Sequence, residues 1–159
     1  MKDTSINITI QSVIKICQIH VKRLEFAIKK IQNFFPLSSE KFNQLTEEEV
    51  AYFDLFSIRF CKLQDYMGNK LFPLVLDFSK EQGELSAFID KLNRLEKIKA
   101  IPSAEKWSDL REIRNELSHD YSEDSLLLSH KLNAAFEKVQ ELLNTLKIIV
   151  HFVEKREHV

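Results

Sequence analysis

Eight residues late in the chain, Arg114 to Tyr121 (RNELSHDY), gather an arginine, an asparagine, a histidine and a tyrosine. Each type has its own chemical use. A guanidinium is permanently charged and holds a phosphate through a planar fork of donors. An imidazole, with a reference pKa of about 6.5, gives or takes a proton near neutrality. Beside one phosphodiester the two could activate a ribose 2′-hydroxyl against the adjacent phosphate without a metal. In that chemistry Arg114 and His119 are the candidate catalytic residues. Asn115 could position the phosphate or the imidazole, and Tyr121 offers a hydroxyl close by. The competing reading is structural: a helix C-terminus where His119 answers the helix dipole and Arg114 pairs with a carboxylate such as Asp120.

Spacing sets what the scaffold must do. Five residues separate Arg114 from His119, so on a straight helix they point about 140° apart. Both reach one substrate only if the helix ends or distorts near Ser118, or if a second copy of the chain completes the site. Upstream, Leu110, Ile113 and Leu117 mark one apolar helix face. Downstream, Ser118, Asp120, Ser122 and Asp124 have short side chains that compete for backbone hydrogen bonds and favour caps and turns. The motif therefore reads as a helix terminus that presents polar groups.

The elements holding it are helical. Ile10, Ile14, Cys17, Val21, Leu24, Ile28, Ile31 and Phe35 step by four and three, predicting a helix of about 25 residues that Pro36 ends. Ile6, Ile8 and Ile10 alternate briefly like a strand, and Pro36 to Thr46 reads as a polar connection. Thr46 with Glu49 forms a capping box for a second helix carrying Phe53, Phe56, Phe60, Leu63, Met67 and Leu71 on one face, with Pro73 kinking or interrupting it after Phe72. This aromatic row reads as core rather than as a platform for bases. Residues 74–83 carry no firm pattern, and Gly83 separates them from an amphipathic helix over 85–99.

Pro102 and an N-cap at Ser103 open the motif helix, with Trp107, Leu110, Ile113 and Leu117 inward. Ser122 or Asp124 caps a final helix whose face is Leu132, Phe136, Val139, Leu143, Leu146, Val150 and Val153. The expected fold is all-α: one domain over 1–159, an up-and-down bundle of four to five helices with long first, second and last helices packed antiparallel.

Composition agrees with that fold and narrows the function. Two glycines and three prolines among 159 residues, with 44% apolar and 30% charged, suit a helical bundle. There is no glycine loop to cradle phosphate, no nucleophile elbow and no metal-ligand spacing: Cys17 and His20 are lone neighbours, and His130, His151 and His158 are scattered along the last helix. Cys17 and Cys61 fall in apolar patterns and read as buried reduced thiols. Arg59 and Asp65 read as a surface ion pair ahead of a support for the motif. No apolar run approaches the length of about 18 residues that spans a bilayer, and no signal-peptide pattern opens the chain, so a cytoplasmic location is expected.

A net charge of −1 excludes a global basic field. Residues 15–30 carry a local balance of +4 and residues 101–125 one of −4. A polyanion must therefore be held in part by surfaces remote in sequence from the motif.

The stretch resembles the signature of the HEPN superfamily, an arginine followed after four to six residues by a histidine. More narrowly it is similar to HepT-type toxins, which carry R-x-x-x-x-H-x-Y: Arg114, His119 and Tyr121 stand at those places, and Asn115 matches the polar residue that often follows the arginine. The approach through Trp107, Leu110 and Ile113 and a motif placed before the last helix also resemble the family. The resemblance implies a metal-independent ribonuclease toxin working as a homodimer, with two motifs facing one cleft and transfer RNA as substrate class. It implies as partner a nucleotidyltransferase antitoxin that silences the toxin by transferring AMP onto Tyr121. The acidic neighbourhood (Glu112, Glu116, Asp120, Glu123, Asp124) and the long first helix depart from a compact member. They leave open a relative without the chemistry, a binding module that partners a nucleotidyltransferase.

Overall fold

The four-and-three apolar step winds α1 over Lys2–Ile31, longer than expected because Ile6, Ile8 and Ile10 continue the helix instead of forming a strand. The computed structural model describes residues 2–80, 87–119 and 124–157. Ile10, Ile14, Cys17, Leu24 and Ile31 are buried on one face of α1. A 3-10 turn over Gln32–Phe34 leads out. The connection expected to be irregular contains a short helix, α2 (Ser39–Asn43), capped by the Ser38 hydroxyl, which accepts from the Lys41 N–H. Asn133 fixes this corner from the far end of the chain. Its Oδ1 accepts from the Leu37 N–H at 2.7 Å and its Nδ2 donates to the Leu37 carbonyl at 2.9 Å.

The Thr46–Glu49 capping box forms as expected and opens α3 (Glu47–Tyr66). Phe53, Phe56, Phe60 and Leu63 are buried along it. Pro73 acts earlier than expected. The helix widens to a π-turn over Met67–Leu71, in which the Phe72 N–H bonds the Met67 carbonyl, and α4 (Phe72–Phe78) then continues with Pro73 in its first turn. Pro73 has no N–H to return to the preceding turn, and the wider turn relieves the clash of its ring with the carbonyl four residues back.

Two helices complete the motif arm. In α5 (Phe88–Lys97), Leu92 and Leu95 face inward. Ser103 then caps α6 (Ala104–Ser118), accepting from the Lys106 N–H at 3.1 Å. Asp124 caps α7 (Ser125–Glu157) by accepting from Leu126 and Leu127.

Paired contacts give the directions. His20 meets Arg59 and Phe26 meets Tyr52, while Gln11 donates to Glu157 and Phe35 stacks on Phe136 at 3.9 Å, so α1 is antiparallel to both α3 and α7. Thus α3 and α7 run the same way, each antiparallel to the long first helix. Phe72 lies against Trp107, Asp65 against Arg114 and Glu116 against Lys131, so α6 is antiparallel to α3 and α7. In chain order α1, α3, α6 and α7 run up, down, up, down, an all-α bundle. No helix among the described residues is long and apolar enough to cross a membrane.

Candidate functional site

The motif sits on α6, and α6 is held by one face. Trp107 and Leu110 are buried, Trp107 4.5 Å from Phe72, while Ile113 and Leu117 are half-buried against the core. Burying such large apolar side chains stabilises the contact by about 1.5–3 kcal/mol each. The opposite face carries Arg111, Glu112, Asn115 and Glu116 to solvent. Arg114 falls between the two faces, at the seam of α6 and α3.

Arg114 is pinned there. Its Nη2 donates to Asp65 Oδ2 at 2.6 Å, across a charge pair that is 29% exposed on the arginine side and 39% on the aspartate side. Its Nη1 donates to Asn115 Oδ1 at 3.2 Å and Ser118 Oγ at 3.4 Å. The Cys61 thiol donates to the Arg114 carbonyl at 3.6 Å. Arg114 Nε is buried with no partner among the described residues. The hydrogen bond to Asp65 pushes the Arg114 pKa above its ordinary value, so the guanidinium stays charged. Burial pushes the Cys61 thiol up to about 11.

Among the described residues the carboxylate paired with Arg114 is Asp65 of α3; Asp120 lies outside them. This corrects the expected pairing of Asp65 with Arg59. Arg59 Nη1 lies 3.0 Å from His20 Nδ1, while Asp65 serves Arg114. The cysteines are also not equivalent: Cys17 is buried, whereas Cys61 is only half-buried at the site.

His119 takes up the geometry expected of a helix end. It is the C-cap of α6, with extended backbone (ψ 146°) and an exposed side chain. It leaves α6 toward α7 and lines a small hollow with Asp54, Ser57, Glu116, Leu117 and Lys131. Arg114 lines a larger neighbouring hollow of about 430 Å³ with Ser57, Cys61, Lys62, Asp65 and Leu117. Asp54, Ser57 and Leu117 belong to both. The structure therefore brings Arg114 and Asn115 together and sets His119 in the adjoining hollow, not in the same one. Tyr121, the expected modification site, lies outside the described residues.

Sequence reasoning missed His20. Half-buried on α1, it accepts from Arg59 if Nδ1 is unprotonated, and lines a hollow with Lys62, Asp65 and Tyr66. Burial first, then the charges of Arg59 and Lys62, lower its pKa below 6.5. A lone histidine in an apolar stripe carried no signal for this. Among the described residues no group of three or more histidine, cysteine, aspartate or glutamate side chains is placed to hold a metal ion.

Fold and site together define an all-α bundle with a polar motif at the exposed end of its penultimate helix. No family model, no curated protein and no solved structure matches the chain.

Proposed function

We propose that the protein is a metal-independent endoribonuclease toxin of the HepT type within the HEPN superfamily. The observation that carries this reading is the state of Arg114. Its guanidinium is fixed at the α3–α6 seam by Asp65 while Arg114 lines the larger hollow. A pre-oriented guanidinium at the wall of a hollow suits a phosphodiester oxygen. His119 lies across the Ser57–Leu117 wall, exposed and free of helical geometry.

In the reaction, the ribose 2′-oxygen attacks phosphorus and gives up its proton as the bond to the 5′-oxygen breaks. The products are a 2′,3′-cyclic phosphate and a 5′-hydroxyl that takes a proton. His119 serves as acid or base, Arg114 neutralises the charge gathering on the phosphate, and Asn115 holds Arg114. A homodimer would place a second motif opposite the first, so that residues lining separate hollows in one chain share a substrate. Cytoplasmic transfer RNA is the substrate class. A cognate nucleotidyltransferase silences the toxin: the Tyr121 oxygen attacks the α-phosphorus of ATP, pyrophosphate leaves, and the new phosphate charge engages Arg114 and repels RNA.

The test is cleavage of transfer RNA by the purified protein, together with growth of a bacterial host expressing it without any partner. His119→Ala should lower the cleavage rate about 10²–10⁴-fold and relieve growth arrest while helical circular dichroism is unchanged. Near-wild-type cleavage by that variant removes His119 from the mechanism. A second reading, a non-catalytic module that presents its motif to a nucleotidyltransferase, is favoured by the Asp65 carboxylate that already balances the Arg114 charge. Harmless high-level expression and absence of cleavage would select it.

A further inference from the structure

Arg114 borders two hollows, and only one has been given a role. The first runs along Cys61, Ser57 and Leu117 toward His119. The second, about 270 Å³, lies on the side where the π-turn meets α5 and α6. Its wall is of a different chemistry: the amides of Gln64, Asn69 and Asn115, the guanidinium of Arg111, the ring of Phe88 and the backbone at Gly68.

Three features of this wall point the same way. Side-chain amides and guanidinium forks are the groups that match the donor and acceptor edges of nucleobases. The Arg111 guanidinium lies over the Phe88 ring, 4.8 Å from its centre, and both planar groups are of the kind on which unstacked bases lie. Arg114 and Asp65 line both hollows, so a phosphate held at Arg114 has a neighbouring residue of the same strand within reach of the amide wall. Gln64 is 3% exposed and Asn69 exposed, so the hollow runs from a buried floor to an open rim.

We propose that the hollow walled by Gln64, Asn69, Phe88, Arg111 and Asn115 is a nucleobase subsite, which takes one unstacked base of an RNA strand whose adjoining phosphate lies on Arg114. The proposal rests on the reading of Arg114 as a phosphate ligand. It gives the site a way to choose where on an RNA it acts. Base edges meet amides on one side of Arg114, and the reacting ribose faces His119 on the other.

The test uses 2′-O-methyl RNA hexanucleotides, which cannot be cleaved because the attacking hydroxyl is blocked. One contains all four bases, and six others each lack a single base while keeping every phosphate. Binding is read by fluorescence anisotropy with the full-length protein. Removal of the base at one position should weaken binding at least about five-fold, the lower end of what base stacking contributes. Asn69→Ala combined with Arg111→Ala should abolish that difference; both side chains are exposed, and unchanged helical circular dichroism of the double variant checks that the fold is kept. Equal binding of all seven oligonucleotides, or a base dependence that survives the double variant, would overturn the subsite. The Arg114→Ala variant in the same assay keeps the two ideas apart. If it weakens all seven oligonucleotides alike while none of the seven differs in the wild type, the phosphate reading stands and the base subsite falls. If it changes nothing, the phosphate reading falls and takes the subsite with it.

Discussion

Replacing Asp65 by asparagine should loosen catalysis and tighten binding at once. Asparagine keeps an oxygen that can accept from Arg114 Nη2, so the seam of α3 and α6 holds its shape, but the charge at 2.6 Å from the guanidinium is gone. With 39% of the aspartate side chain exposed, the pair contributes about 1 kcal/mol or less to folding, and the melting temperature should fall by about 2–4 °C. The effect on a ligand is opposite in sign. An RNA phosphate and the Asp65 carboxylate would share one guanidinium, their charges about 6 Å apart. That repulsion is about 0.7 kcal/mol at the dielectric constant of water and about 3 kcal/mol in a partly buried setting. The exposure of Asp65 places it near the low end, about 1 kcal/mol, or about five-fold in Kd.

The assay is anisotropy of a 2′-O-methyl RNA at low and moderate salt, paired with cleavage of transfer RNA. The variant should bind more tightly, most clearly at low salt where screening is weakest. It should nonetheless cleave more slowly, because the neutral asparagine oxygen holds Arg114 less tightly than the carboxylate did. Binding that weakens or stays unchanged at low salt would refute the argument that Asp65 and the substrate compete for Arg114.

Two further outcomes follow from the pKa directions. His20 is held below its ordinary pKa of 6.5 in the folded chain, so the unfolded chain binds the proton more readily. Its contribution to stability is full above about pH 6.5 and is lost as pH falls through the folded value; urea midpoints between pH 7.5 and 5 should decline, and His20→Gln should flatten that slope. The cysteines, pushed up to about 12 at Cys17 and about 11 at Cys61, stay protonated at neutral pH. Iodoacetamide at pH 7.5 should label both far more slowly than a free thiol, and prompt labelling of Cys61 would show that the α3–α6 seam opens.

How far the fold was legible depended on the range of the interactions involved. Apolar stripes are local, and nearly every residue assigned inward on α1, α3, α6 and α7 is buried or half-buried. The capping box at Thr46 and the cap at Ser103 are equally local. What stayed hidden depends on contacts between distant segments. The corner that folds into α2 is clamped by Asn133, 96 residues away. The partner of Arg114 is 49 residues away, and residue types alone favoured pairing Asp65 with its neighbour Arg59. Pro73 was rightly read as a disturbance, but only the backbone shows that it is absorbed by widening the turn before it. The five-residue spacing of Arg114 and His119 announced divergent directions, and their adjoining hollows have that form.

For an RNA bound at Arg114, the cations that offset the acidic motif would come from the segments packed beside α6. On α6 itself Glu112 and Glu116 face solvent, and a polyanion laid along that helix would be repelled. The seam, however, is two-sided. From α3 comes Lys62, which lines the Arg114 hollow, and from the π-turn after it Lys70, which shares the next hollow with Lys62 and His20. From the α5–α6 side comes Arg111. Glu116 is partly balanced by Lys131 of α7 at 3.8 Å. An RNA strand would therefore cross α6 at Arg114 rather than follow it, with α3 and the π-turn after it supplying the cations that the motif's own sequence lacks. Lys62→Glu tests this path because Lys62 is exposed, and reversing its charge should weaken RNA binding more at low salt than at high salt. If Lys62→Glu had no effect while Glu112→Lys strengthened binding strongly, the strand would have to lie along α6, and the crossing path would be wrong.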